Sequence, residues 1–225
     1  PEDRQDVSAC HMLPAGYDYF VYPENGGLRR NAARILGHQM PGAESEELLR
    51  NAVSLHVESR IDGERLVVTV RITNDKTGHH VPTDSPLRHL ILLVAAHDPD
   101  GTALRQVDGP TVPEWGGVGD PRNGYYAGLP GKAFAKVLQD AWTGASPTGA
   151  YWRPTRILSD NRLAAFAADE SVYSFALSPS SGAQVEVKLL FRRAFRPLAD
   201  LKRWPDPDIE MVSQHLTIEP ESEAR

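Results

Sequence analysis

The chain has 225 residues, 40% hydrophobic and 24% charged, with 24 Lys plus Arg against 30 Asp plus Glu and a net charge of −6. That is the composition of a globular chain with a core of its own; it excludes the basic stripe of a nucleic-acid surface, and no apolar run reaches the roughly 18 residues of a membrane helix. The single cysteine, Cys10, excludes an internal disulfide, and 18 Gly with 18 Pro favour a loop-rich, strand-based fold.

The sequence opens at Pro1 without an initiator Met or a leader, and reads as a mature or trimmed product. Residues 1–51 form a first unit, irregular or helical. Tyr17, Tyr19, Phe20 and Tyr22 cluster there, and Pro41 to Asn51 reads as a short helix with acidic residues in its first turn. Strand patterns begin at Val53: Val53, Leu55 and Val57 alternate with polar residues. A turn at Ile61 to Arg65 follows, then a second alternation through Leu66, Val68, Val70 and Ile72. Leu87 to Ala96 is a central strand, Asp98-Pro99-Asp100-Gly101 a turn, and Ala103 to Val107 a segment that pairs back. Residues 109–161 hold Trp115, Trp142, Trp152, Tyr125, Tyr126 and Tyr151 among many Gly and Pro, with a helix expected over Gly131 to Trp142. Strands resume at Ser171 to Leu177 and Gln184 to Phe191. A helix follows from Ala194 to Trp204, with Pro197 in its first turn and Leu198 and Leu201 inward, and a last strand runs from Ile209 to Ile218. The expectation is a mainly β chain: an antiparallel β-sandwich of about seven strands over 52–220, with an aromatic insertion at 109–161.

Three places could carry chemistry. Val7-Ser8-Ala9-Cys10-His11-Met12 is a Cys-x-x-Cys-His haem motif with Val7 in place of its first thiol; one thioether and one axial histidine remain. The plainer reading is a small buried Cys10 and a surface His11. Leu36-Gly37-His38-Gln39-Met40-Pro41 puts His38 and Met40 in an open loop, as second axial ligand or as the cap of the next helix. Thr77-Gly78-His79-His80-Val81-Pro82-Thr83 carries adjacent histidines that point opposite ways if extended, so at most one of His79 and His80 serves a given metal centre. The plainer reading there is a rigid turn. Copper is a further option through Cys10, His11, Met12, His38 and Met40, although the blue-copper arrangement is missing. His56, His89, His97 and His215 lie on strands and read as structural. Hydrolase and phosphate-binding motifs are missing, so the chain does not read as an enzyme.

The order of these segments resembles the C-terminal region of bacterial multihaem cytochromes c. The likeness rests on the Cys-His of the degenerate motif, the Gly-His-x-x-Pro loop and the Asn74-x-x-x-Gly78-His79-x-x-Pro82-Thr83 turn. The runs Trp152 to Arg162 and Leu190 to Phe195 add to it. The resemblance implies a periplasmic or extracytoplasmic β-sandwich whose partners are cytochromes or membrane redox complexes, in respiration or photosynthesis. By the same resemblance Cys10 and His11 match the second thiol and the proximal ligand, and His38 a distal one. This chain departs from the family in having no intact haem motif. The first expectation is therefore a haem-free accessory subunit of an electron-transfer complex, with the aromatic 109–161 region as its interface. The alternative is an electron carrier with one haem c on Cys10; the second alternative is a copper protein.

Overall fold

The structure, a computed structural model, describes residues 19–22, 27–30, 46–83, 85–178 and 180–220. Strands β1 (Tyr19–Tyr22) and β2 (Gly27–Arg30) form a two-stranded ribbon, and α1 spans Glu46–Arg50 with Glu46 and Glu47 in its first turn. Nine strands then make two antiparallel sheets: β3 (Ser54–Asp62), β4 (Arg65–Thr73), β5 (His89–His97), β6 (Gln106–Asp108), β7 (Gly131–Asp140), β8 (Thr155–Asp160), β9 (Ala168–Ala176), β10 (Ala183–Arg192) and β11 (Ile209–Ile218). One sheet runs β11-β10-β5-β7-β8 and the other β3-β4-β9-β6. The fold is the expected β-sandwich, with nine strands rather than about seven.

The core lies between the sheets and follows from the period-two patterns. Leu66, Val68, Val70 and Ile72 of β4 meet Leu90, Leu92 and Val94 of β5 and Val185, Val187 and Leu189 of β10, with Phe134, Tyr173 and Phe175 filling the middle. Asp62 pairs with Arg65 across the two-residue turn of the β3–β4 hairpin, and Gly63 there takes the left-handed conformation with φ 58°. The Asp98 carboxylate accepts from the backbone N–H groups of Asp100 and Thr102, which closes the turn after β5.

Three expectations change. Residues 131–142 are not a helix: Gly131–Asp140 is strand β7, paired with β5 and β8. The 103–107 segment pairs back only at Ala103 and Leu104; the chain then crosses to the other sheet, where β6 pairs with β9. The second helix, α2 (Arg196–Lys202), has Pro197 in its first turn as expected, but Leu201 is 61% exposed. This helix is short and is held by what precedes it: Phe195 is buried, and the Arg196 guanidinium lies over the Tyr125 ring.

A third layer covers part of the outer face of the larger sheet. Ile91 and Leu190 pack there against Val112, and Ala135 and Val137 against Phe195 and Trp115. Arg192 ties the layer down. It pairs with Asp208 through Nε (2.7 Å) and Nη2 (2.6 Å), and donates to the carbonyls of Gly116 (2.8 Å) and Gly124 (2.7 Å). A groove of about 1110 Å³ runs beside this cluster over the outer faces of β5 and β10, between Tyr126 and Trp204.

Candidate functional site

Cys10, His11, His38 and Met40 lie outside the described residues, as does most of the 1–51 segment to which they belong. The motif that the structure does describe is the turn from Asn74 to Thr83. It joins β4 to the segment before β5, and its keystone is one residue. Asn74 is completely buried. Its Nδ2 donates to the carbonyls of His79 (2.7 Å) and Leu163 (3.0 Å). Its Oδ1 accepts from Thr77 Oγ1 at 2.7 Å. Its backbone N–H donates to Ala167 O (2.9 Å), and its carbonyl accepts from Phe166 N (2.8 Å). Every donor and acceptor of this side chain is used, which is the condition for burying an amide without penalty. Val81 then enters the core and exchanges both backbone hydrogen bonds with Leu163.

The histidines sit on the outer rim of this rigid turn, and both are exposed. His79 Nδ1 lies 2.9 Å from the His80 carbonyl. A carbonyl only accepts, so Nδ1 carries the hydrogen and the neutral ring keeps its lone pair on Nε2. This is the arrangement that orients a ligating histidine: one nitrogen anchored to backbone, the other offered outward. His80 is near Asp160, the last residue of β8. Hydrogen bonding from Arg162 first, with His80 as a minor contribution, holds the Asp160 carboxyl below the usual range. Phe166, on the loop bonded to Asn74, has φ 61° and is 76% exposed. The same keystone thus fixes two outward groups, an imidazole and a phenyl ring.

Chemically, the turn can give a single ligand. Among the described residues no three His, Cys, Asp or Glu side chains come together to hold a metal ion. A haem iron needs no such cluster, because the porphyrin supplies four nitrogens and the protein only the axial ligands. Copper needs several protein ligands in one place, and the residues offered for it lie outside the described part. The remaining histidines are apart from this turn. His56 pairs with Glu58, and exposed His215 approaches Glu186. His89 and His97 are on the same face of β5 but at opposite ends.

The sandwich has a counterpart among solved structures. It is similar to a penta-haem cytochrome c552 from Thermochromatium tepidum, with a TM-score of 0.58 and 19% identity. The match covers 83% of this chain and 46% of that one, so the chain spans about half the length of the cytochrome. A second match, the PapD-like domain 7 of human CEP192, covers 84% of this chain and 97% of that one at 7% identity, with a TM-score of 0.28. No protein-family model matches the chain, and no curated protein does. At 19% identity the likeness to the cytochrome is one of fold.

The sequence runs that resembled cytochromes turn out to be the ones that build the third layer and the β7–β8 hairpin. Arg192 and Phe195 belong to the first. In the second, Arg153 pairs with Asp140 at 2.8 Å, Arg162 with Asp160 at 2.7 Å, and Asn161 bonds the backbone of Ala133 and Ala135. Sequence reasoning missed the cluster around His89. This histidine is fully buried, stacked on Phe195 at 4.8 Å and edge-on to Trp115 at 5.2 Å. The only signal for it was a polar residue opening an otherwise apolar strand.

Proposed function

We propose that the protein is an extracytoplasmic β-sandwich subunit of a c-type cytochrome electron-transfer assembly, acting as a haem-free scaffold for haem-bearing neighbours. The observation that supports this reading best is the two-sheet sandwich it shares with a penta-haem cytochrome over 83% of the chain. In this role the sandwich itself passes no electrons. It fixes the distance and orientation of neighbouring redox centres, and its rigidity comes from the fully bonded Asn74 turn and the Arg192–Asp208 tie.

A second reading is favoured by the outward lone pair of His79. In it the chain holds one haem. Cys10 supplies a single thioether, His11 is the proximal ligand, and the distal position falls to His38, Met40 or a turn histidine. The residues fit to this extent: one cysteine allows one thioether and no more, and His79 is oriented to donate from Nε2. A haem bound there would supply one-electron redox chemistry.

The deciding measurement is a pyridine haemochrome spectrum of the protein purified from its native host, with the co-purifying chains identified. The scaffold reading expects no covalent haem on this chain and a cytochrome among its partners. A haemochrome band displaced from the two-thioether position, and lost in Cys10→Ala, would replace it with the single-haem reading. The lack of both a haemochrome band on this chain and a redox protein among its partners would sink both.

A further inference from the structure

With β11 packed against β3 at one side of the sandwich, a five-stranded sheet faces a four-stranded one. Among the described residues the fifth strand has no strand opposite it. That strand is β8, and all six of its residues are exposed. Overhang alone would be unremarkable for a polar strand, but this one is apolar at its centre: Ile157 is 57% and Leu158 49% exposed. At the tip of the same hairpin Trp142, Tyr151 and Trp152 are exposed too. One hairpin therefore carries five of the eleven exposed large hydrophobic side chains among the described residues. Scattered exposed apolar residues need no explanation; a cluster of this kind does.

The cluster is held ready. Asp140 is buried, and its Oδ1 accepts from the backbone N–H groups of Trp142 (2.8 Å) and Thr143 (3.1 Å). Its Oδ2 accepts from Arg153, whose guanidinium lies 5.9 Å from the Trp142 ring centroid. Aromatic anchors fixed before binding lose little freedom on binding. Strand addition at the edge is blocked: Leu158 is an extra residue in the β7–β8 register, a bulge, and Asp160 and Arg162 close the end of the strand. The hairpin meets a partner with its faces, not its edge.

Charge selects the partner. Residues 136–162 carry four cations, Lys136, Arg153, Arg156 and Arg162, against two carboxylates, Asp140 and Asp160, in a chain of net charge −6. The two carboxylates are taken by Arg153 and Arg162. Arg156 bonds only the neutral Gln139 amide (2.6 Å), and Lys136 has no carboxylate partner among the described residues. A second copy docked about a two-fold axis would bring these cations against their own kind.

We infer that the overhanging β7–β8 hairpin is a docking face for a different protein, one whose contact surface is apolar at its centre and acidic at its rim. The inference rests on the reading of the chain as a subunit of an assembly and names the chemistry of its neighbour.

The test is zero-length carbodiimide cross-linking of the native assembly at low ionic strength, which joins Lys136 Nζ to a carboxylate in contact with it. The expected product is a Lys136 cross-link to an Asp or Glu of another polypeptide. Its yield falls at least tenfold at high salt and in Ile157→Asp, and is unchanged in Val118→Asp, which alters a still more exposed apolar residue elsewhere. Unchanged thermal midpoints show that both variants fold. A Lys136 link to a second copy of this chain, the lack of any intermolecular link at Lys136, or equal yields in the two variants overturns the inference. An acidic partner linked at Lys136 in an assembly without cytochromes would retain the docking face and remove the proposed function; a cytochrome partner linked only elsewhere would do the reverse.

Discussion

His89 shows how far a single side chain can depart from its solution behaviour. Burial comes first among the causes that pull its pKa from 6.5 to about 4; the hydrogen bond to the Leu87 carbonyl opposes it, nearby Arg192 adds to it, and Asp208 opposes it. With Nδ1 donating to Leu87 O at 3.0 Å, Nε2 is left buried without a partner, and a proton placed there would be an unsolvated charge between Phe195 and Trp115. The linkage has a definite sign. The unfolded chain takes up the proton below about 6.5 and the folded chain does not, so this group costs stability as pH falls from about 6.5 to about 4. The loss is constant below that window and amounts to about 3 kcal/mol. Urea titrations at pH 7.5 and 4.5 should show this loss. His89→Gln, which keeps a donor for the Leu87 carbonyl, should remove most of the difference; an equal acid loss in that variant would refute the account. The Asp140 carboxylate does not confuse the window. Burial raises the Asp140 carboxyl, but Arg153 and the N–H groups of Trp142 and Thr143 outweigh it and hold it below its usual range, so its contribution is lost only at lower pH.

At the scale of elements, legibility in the sequence followed the environment of each strand. β3 and β4 alternate because one face of each meets solvent, and their hairpin was placed correctly from that alone. β7, which falls within the helix expected over Gly131 to Trp142, lacks the alternation of β3 and β4. It is a central strand buried on both faces: Phe134 enters the main core, while Ala133 and Ala135 are small enough to admit the outer layer. Two alanines and no β-branched residue but Val137 then give a local preference for helix, which tertiary pairing overrides. The strand begins at a point of close backbone approach. A Cβ added at Gly131 would run into the Leu92 carbonyl oxygen. Gly131→Ala should therefore cost about 1–3 kcal/mol by forcing β5 and β7 apart, read as a lowered urea midpoint at unchanged slope. A neutral substitution there would mean that the β5–β7 junction is looser than its register implies. The candidate turn was legible as a motif, since Asn74, Gly78, His79 and Pro82 are visible in the chain. Its keystone role was not, because Leu163 and Phe166, which Asn74 bonds, lie about ninety residues away.

For the whole molecule, the question is whether the sandwich stands without the segment that carries Cys10, His11, His38 and Met40. The main core cluster begins at Leu49 and Val53 and ends at Met211. Both satellite clusters draw on residues from Leu87 onward. Among the described residues, nothing before α1 contributes to any of the three, and α1 itself packs against β11. The described core is extensive enough to carry a hydrophobic driving force of its own. A fragment of residues 46–220 should accordingly unfold in one cooperative transition within about 4 °C of the full chain, the shift that roughly 1 kcal/mol produces at this size. Calorimetry of both proteins checks this. A fragment that melts far lower, or without a cooperative peak, would show that the segment with the degenerate haem motif is part of the fold. That outcome would also weigh against the scaffold reading, because the sandwich would then depend for its stability on the region where a haem would sit.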